Sequence, residues 1–239
     1  MKPPRRFYSE VAVSIGNDIL LDGKPVKTPG KRLLNLPTAA LAEAVAAEWR
    51  AQGEKIDPAT MIMTKLANTA LDRVIPERGR IIAEMVEFAG SDLVCYRAVS
   101  PDELIEMQAK LWDAVIDWAL AHLDARFTVT EGVTHKRQPV SALKAIETHF
   151  AAIEPFPLTA IHNMMTLTGS ALLAAMTAAG GITPEAAWQA AHADEDFQIQ
   201  QWGEDEEAAE RRERRRQEFI ACARFAELAG CPLSLHHRP

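Results

Sequence analysis

At 239 residues, with 48% hydrophobic and 25% charged side chains, the chain has the composition of an ordinary folded protein of one or two domains, which excludes disordered, collagen-like and disulfide-framework classes. Lys+Arg 26 against Asp+Glu 33 leaves a formal charge of -7, an argument against a general polyanion binder, because that affinity comes from cations neutralising phosphates. Cys95, Cys222 and Cys231 are an odd set without CxxC spacing, the pattern of buried thiols in a reducing compartment rather than of a disulfide scaffold or a zinc site.

The first ten residues hold Lys2, Arg5 and Arg6 but run into Phe7-Tyr8-Ser9-Glu10 without an apolar segment or a small-residue cleavage site, so no export signal is expected. Residues 8–15 approach period two and predict a strand. Residues 20–26 place Asp22-Gly23 between two short runs, the dipeptide of a tight hairpin turn. Pro25, Pro29 and Gly30 mark edge strands and irregular turns, so residues 7–36 read as a small antiparallel sheet. After Pro37 the period lengthens: Leu41, Val45, Glu48, Trp49 and Gln52 have helical spacing, with Gly53 as the stop. Further helices are predicted over 64–73, 76–88, 101–123, 140–150, 157–179 and 184–229, the last broken near Gly203. Ser100-Pro101-Asp102-Glu103 reads as a capping box with proline at the first helical position, and Thr183-Pro184-Glu185 repeats the proline and acid placement. Residues 92–97 and 127–130 are the remaining strand candidates. The most apolar stretch, 161–182, is interrupted by His162, Asn163 and several threonines and glycines, so it reads as a core helix rather than a membrane span. The expected class is α+β, with a small antiparallel beta-rich domain carrying one helix over 1–60 and a larger, mainly helical domain over 61–239.

Signs of bond-making chemistry are few. There is no glycine-rich phosphate loop, and Gly180-Gly181 follows a helix as a C-cap does. His122, His135, His149, His162 and His192 are scattered without ligand spacing, and His236-His237 lie in the tail, so no metal is expected. Ser170 lacks the second glycine of a nucleophile elbow and reads as a small residue for close helix packing. Neither a catalytic set nor a cofactor is indicated.

The unusual segment is 188–216. At about 100° per residue, Trp188, His192, Glu195, Ile199 and Trp202 fall on one stripe, with Ala186, Ala190, Ala193 and Phe197 opposite. Glu195, flanked by Asp194 and Asp196, then either sits desolvated among aromatic residues or lies at the rim, paired with an arginine. Beyond Gly203, Glu204-Asp205-Glu206-Glu207 precedes Arg211-Arg212-Glu213-Arg214-Arg215-Arg216. Acid before base agrees with the helix dipole, and Glu207 with Arg211 and Glu210 with Arg214 are favourable pairs, as on a solvated helix or a charged docking face. Two other readings stay open: a small-molecule enzyme using Glu195 and His192 as an acid–base pair, and an RNA-associated adaptor using Arg211 to Arg216. Acidic neighbours and the lack of interleaved aromatic residues weaken the second.

Taken together, Arg6-Phe7-Tyr8, Leu20-Leu21-Asp22-Gly23-Lys24-Pro25-Val26-Lys27-Thr28-Pro29, Leu36-Pro37-Thr38 and Ala46-Ala47-Glu48-Trp49 form a set of ordered blocks. They continue through Ile56-Asp57-Pro58-Ala59-Thr60-Met61, Leu66-Ala67-Asn68-Thr69-Ala70, Ala89-Gly90-Ser91-Asp92-Leu93-Val94-Cys95-Tyr96-Arg97, Gln108 with Trp112-Asp113, and Asp194-Glu195-Asp196-Phe197-Gln198-Ile199-Gln200-Gln201-Trp202-Gly203. These blocks resemble the ATP-twelve family of ATP synthase assembly chaperones, in order and across nearly the whole chain. The resemblance implies a non-enzymatic protein with a beta-rich N-terminal part and a helical C-terminal part. Its implied partner is the unassembled alpha subunit of the soluble catalytic sector, held from aggregation until it meets the beta subunit. Glu195 is the implied functional carboxylate, and the expected client-binding set is Glu195, Asp194, Asp196, Trp188, Gln198, Trp202 and Glu206, with Glu195 facing a cleft beside Trp188 and Trp202. Trp49 also lies in a family block and is expected to act through packing. Eukaryotic relatives carry a transit segment that this chain lacks, and the Arg-rich run after Gly203 departs from them, which points to a bacterial, cytoplasmic member. It is expected to be a monomer when free, with no nucleic-acid partner and no membrane insertion.

Overall fold

A computed structural model describes residues 4–132 and 134–231; His236 and His237 lie outside them. Strands β1 (Val11–Val13), β2 (Ile19–Leu21) and β3 (Lys24–Pro25) form an antiparallel sheet in the order β1-β2-β3, with Val11 opposite Leu21 and Val13 opposite Ile19. The expected hairpin is there: Asp22 and Gly23 have φ of 47° and 74°, the pair of positive angles that a two-residue turn requires. The Asp22 carboxylate also accepts from the Ser9 and Glu10 amides at 3.0 and 2.8 Å, and these bonds hold its pKa below the ordinary carboxylate value. The strand expected over 8–15 shrinks to three residues, because Tyr8 leaves the ladder to pack in a satellite core with Leu21, Ile56 and Met61.

Helix α1 (Ala39–Arg50) starts where Thr38 Oγ1 accepts from the Leu41 amide at 3.1 Å. It stops before the expected Gly53, with Ala51 as its C-cap. Helix α2 (Ile62–Thr69) passes through a π turn (Ala70–Val74) into α3 (Ile75–Ala89). The two helices expected over 64–73 and 76–88 are thus one bent run. Pro76 has no N–H to give back to the preceding turn, and a wider turn absorbs the mismatch. Two strands, β4 (Tyr96–Arg97) and β5 (Thr130–Glu131), pair in parallel, one from each expected strand region. Between them lies α4 (Asp102–Leu123), whose N-cap is Pro101 without a side-chain bond, so the expected capping box at Ser100 does not form.

The C-terminal half stacks α5 (Val140–Ala152), α6 (Pro155–Thr168), α7 (Ala171–Ala178), α8 (Pro184–Ala191), α9 (Ala193–Trp202) and α10 (Glu206–Leu228). The single helix expected over 157–179 is broken at Gly169, whose φ of 73° ends α6, and Ser170 is the N-cap of α7 rather than a packing spacer. Every residue of α7 is buried, as a helix apolar on all sides must be. Among the described residues no helix is long and apolar enough to cross a membrane.

The main core runs from Ile19 to Ala229 and joins sheet, α1 and helices in one apolar cluster. Helix α10 closes it: Phe225 stacks on Phe156 of α6 with centroids 6.3 Å apart, and Phe219 meets Trp188 at 5.8 Å. Each such fully buried aromatic contributes about 1.5–3 kcal/mol. The Thr38 hydroxyl donates to the Leu228 carbonyl, fastening the start of α1 to the end of α10.

Candidate functional site

Helices α8 and α9 are separate because His192, at φ -115° and ψ 22°, leaves the helical region between them. That break divides the predicted stripe: Trp188 and His192 part from Glu195, Ile199 and Trp202, which keep one face of α9. Trp188 turns into the core, its ring 3.8 Å from the His192 ring by centroid. Trp202 goes the other way and stands 80% exposed at the end of α9. Glu195 lies on the same face of α9 two turns earlier. Its Oε2 lies 3.5 Å from Arg212 Nε, so of the two readings of Glu195 the rim position with an arginine partner is the one that the fold adopts.

Arg212, in the second turn of α10, is the centre of this corner. Its side chain is 20% exposed and faces three carboxylates: Asp196 in a close ion pair, Glu195, and Glu204 at 4.0 Å. A cavity of about 100 Å3 lies between the helices, lined by His192, Glu195, Arg211, Arg212 and Arg215. Neither tryptophan lines it, so the expected cleft beside Trp188 and Trp202 is replaced by a small charged pocket at the α9–α10 junction. His192 Nδ1 sits 2.8 Å from the Trp188 carbonyl, an acceptor only, so the proton is on Nδ1. Burial holds the His192 pKa below its ordinary value.

The other expected residues divide between structure and surface. Asp194 Oδ1 accepts from Gln108 Nε2 at 2.6 Å, and Gln108 Oε1 accepts from the Ala98 amide at 2.7 Å, so this acid ties α9 to α4. Gln198 and Glu206 are exposed on α9 and in the first turn of α10, where Asp205 caps the helix through the Ala208 amide at 3.0 Å. Asp194, Glu195, Asp196, Gln198, Trp202 and Glu206 therefore stand at least partly in water, Asp194 with one oxygen on Gln108, and Trp188 does not. The arginine run is largely engaged within the chain: Arg212 as above, Arg214 with Glu210 at 3.5 Å, Arg216 with Glu213 at 2.7 Å, and Arg215 with the Leu167 carbonyl at 2.9 Å. The pair expected between Glu207 and Arg211 is not among the ion pairs of the described residues.

Two carboxylates that sequence spacing did not single out hold the scaffold. Glu48 reaches from α1 to cap α2, accepting from the Met63 and Thr64 amides at 2.7 and 2.8 Å and from the Thr64 hydroxyl at 2.7 Å. Burial outweighs these bonds and raises its pKa. Asp92 is wholly buried and accepts from the Val94 and Leu172 amides at 3.2 and 3.0 Å, at the head of α7 beside Ser170; burial pushes it up to about 6. The bond to Val94 is local, but no local pattern reveals the caps on α2 and α7, whose donors and acceptors lie 15 and 80 residues apart in the chain. Burial also pushes the Cys95 and Cys222 thiols up to about 12 and Cys231 to about 11, leaving them poor nucleophiles. Among the described residues no group of three or more His, Cys, Asp or Glu is placed to hold a metal ion.

Comparison with known proteins finds the family described as ATP12 chaperone protein matching residues 5–120. The crystal structure of Atp12 from Paracoccus denitrificans is similar at a TM-score of 0.88 and 38% identity, over 95% of this chain and 98% of that one. The Atu1473 protein from Agrobacterium tumefaciens is similar at 0.87 and 42% identity, over 95% of this chain and 86% of that one.

Proposed function

We propose, from the premise that this chain belongs to the ATP12 chaperone family, that it is an ATP synthase assembly chaperone whose client is the unassembled alpha subunit of the catalytic sector. It holds that subunit's apolar interface away from other copies until the beta subunit takes it over. The observation that carries the reading is the α9–α10 corner, where the exposed Trp202 stands on the same surface as Glu195 and Asp196. An aromatic anchor supplies contact area and loses little conformational freedom, while neighbouring charges fix register against the client. Arg212 holds the two acids until a basic or amide group of the client competes for them. Glu195 is the half-exposed and looser of the two contacts, so its exchange costs little while Asp196 keeps Arg212 paired.

No bond is made or broken in this cycle. The beta subunit displaces the chaperone by burying more of the alpha surface, and mass action completes the release. The protein works as a monomer, in the cytoplasm of a bacterial cell, without cofactor or nucleic acid. The deciding measurement is light scattering of isolated alpha subunit on dilution from denaturant, with and without an equimolar amount of this protein. Suppressed scattering by the wild type, lost in Glu195→Lys at an unchanged melting temperature, is the expected result. Equal clumping in the presence and absence of the wild type overturns the reading.

A further inference from the structure

A second, wider cavity lies outside the α9–α10 corner. It is a groove of about 690 Å3 between α4 and the β4–β5 pair, within the size range of sites that take a few side chains of a ligand. Val99, Ile105 and Val129 form its apolar wall, and Arg97, Lys136 and Glu131 its polar one. Val99 is 65% exposed and Val129 40%, so two branched aliphatic side chains stand in water at its mouth.

Arg97 is the second observation. Its side chain is 10% exposed; Nε donates to the Val94 carbonyl at 3.1 Å and Nη1 pairs with Asp113 at 2.8 Å, while the guanidinium lies over the Trp112 ring at 5.4 Å. Nη2 is buried and has no hydrogen-bond partner among the described residues. A buried guanidinium N–H without an acceptor is costly, and a ligand that supplies one recovers that cost on binding. A carboxylate suits it best, because charge-assisted bonds to arginine are the strong ones and Lys136 provides a second cation nearby. The groove is also tied to α9 of the proposed client face: the buried Gln108 holds the groove's Ala98 amide with one end of its amide group and Asp194 with the other.

We propose that this groove is a second contact for the client, an inference that rests on the chaperone reading above. It takes an extended segment in which an aliphatic side chain is followed closely by an aspartate or glutamate. The aliphatic group lies on Val99, Ile105 and Val129, and the carboxylate meets the exposed Lys136 and takes Arg97 Nη2 as a side-chain rotation uncovers it. Glu131, facing the same space, and Asp113, already on Arg97, discriminate against a more strongly acidic run.

The test uses the full-length protein and isolated alpha subunit, with a photo-crosslinking amino acid placed at position 99 in one preparation and at position 202 in another. Val99 and Lys136 are both exposed, so Val99→Glu and Lys136→Glu should fold, as a melting curve verifies. Val99→Glu is expected to weaken client binding at least about tenfold, and Lys136→Glu several-fold with a shallower salt dependence. The adduct at 99 is expected to map to a client peptide that carries an acid next to an aliphatic residue. Wild-type affinity in both variants, with Trp202→Ala still impaired, overturns the groove and leaves the chaperone reading standing. An adduct that joins two copies of this chain overturns it as well, in favour of self-association. Failure of the wild type to bind the subunit at all removes the chaperone reading, and the groove proposal with it.

Discussion

At the head of α7, Asp92 has no exposed surface and gives both oxygens to backbone amides, those of Val94 and Leu172. At the head of α9, Glu195 and Asp196 stand partly in water and share one arginine. The residue chemistry is the same and the consequences are opposite. The buried acid has partners that cannot leave without unfolding α7, so it fixes the scaffold. The acids of α9 share a partner on another helix, and Glu195, the half-exposed one, can exchange it for another molecule while Asp196 keeps it paired.

The comparison breaks first at Asp92. Asp92→Ala leaves several buried N–H donors without an acceptor and is expected to cost about 3 kcal/mol, a fall in melting temperature of roughly 6–12 °C for a chain of this size. A loss under 1 kcal/mol in chemical denaturation would show that water replaces the carboxylate and that the site is not the fixed point described.

An effect of similar size, at most about 3 kcal/mol, separates wild type from Asp92→Asn as a function of pH. The native carboxyl holds its proton up to about pH 6, against an ordinary value of 3.8. Between those values the native state binds more protons than the unfolded chain, so this group's stabilisation is full below about pH 4 and drains away as pH rises through 6. The wild type should therefore lose stability relative to Asp92→Asn across that window and run parallel to it above pH 7. Parallel curves throughout would contradict the burial argument.

The smallest expected change in stability sharpens the other side. Trp202→Ala removes a side chain that is almost entirely in water, so folding should shift by less than about 0.5 kcal/mol. Client affinity should nonetheless fall about tenfold or more in a direct binding titration. A stable variant that binds as the wild type does would move the client contact away from α9.

The sheet and most helices were legible because their signals are local. Asp22-Gly23 sets its own turn, and Thr183 caps α8 through the Ala186 amide three residues on. The breaks at His192 and Gly169 were not, since apolar spacing continues across a single non-helical residue and one such residue turns everything after it to a new azimuth. Ser100 fails as a cap for a related reason: the motif was present, but the chain enters α4 one residue later. At the candidate site, the acidic cluster and its arginine partner were foreseeable as types. Which arginine, and which tryptophan faces water, depended on how α10 folds back over α9.

The bond from Thr38 to Leu228 ties together residues 190 positions apart. Synthesis runs from the amino end, and α10, which supplies Phe219 and Phe225, emerges after the helices it packs on. Until the ribosome has released it, the earlier helices present bare apolar faces and can hold only a provisional arrangement. A message truncated anywhere within α10 should therefore yield not a shorter working protein but one that itself needs rescue from clumping.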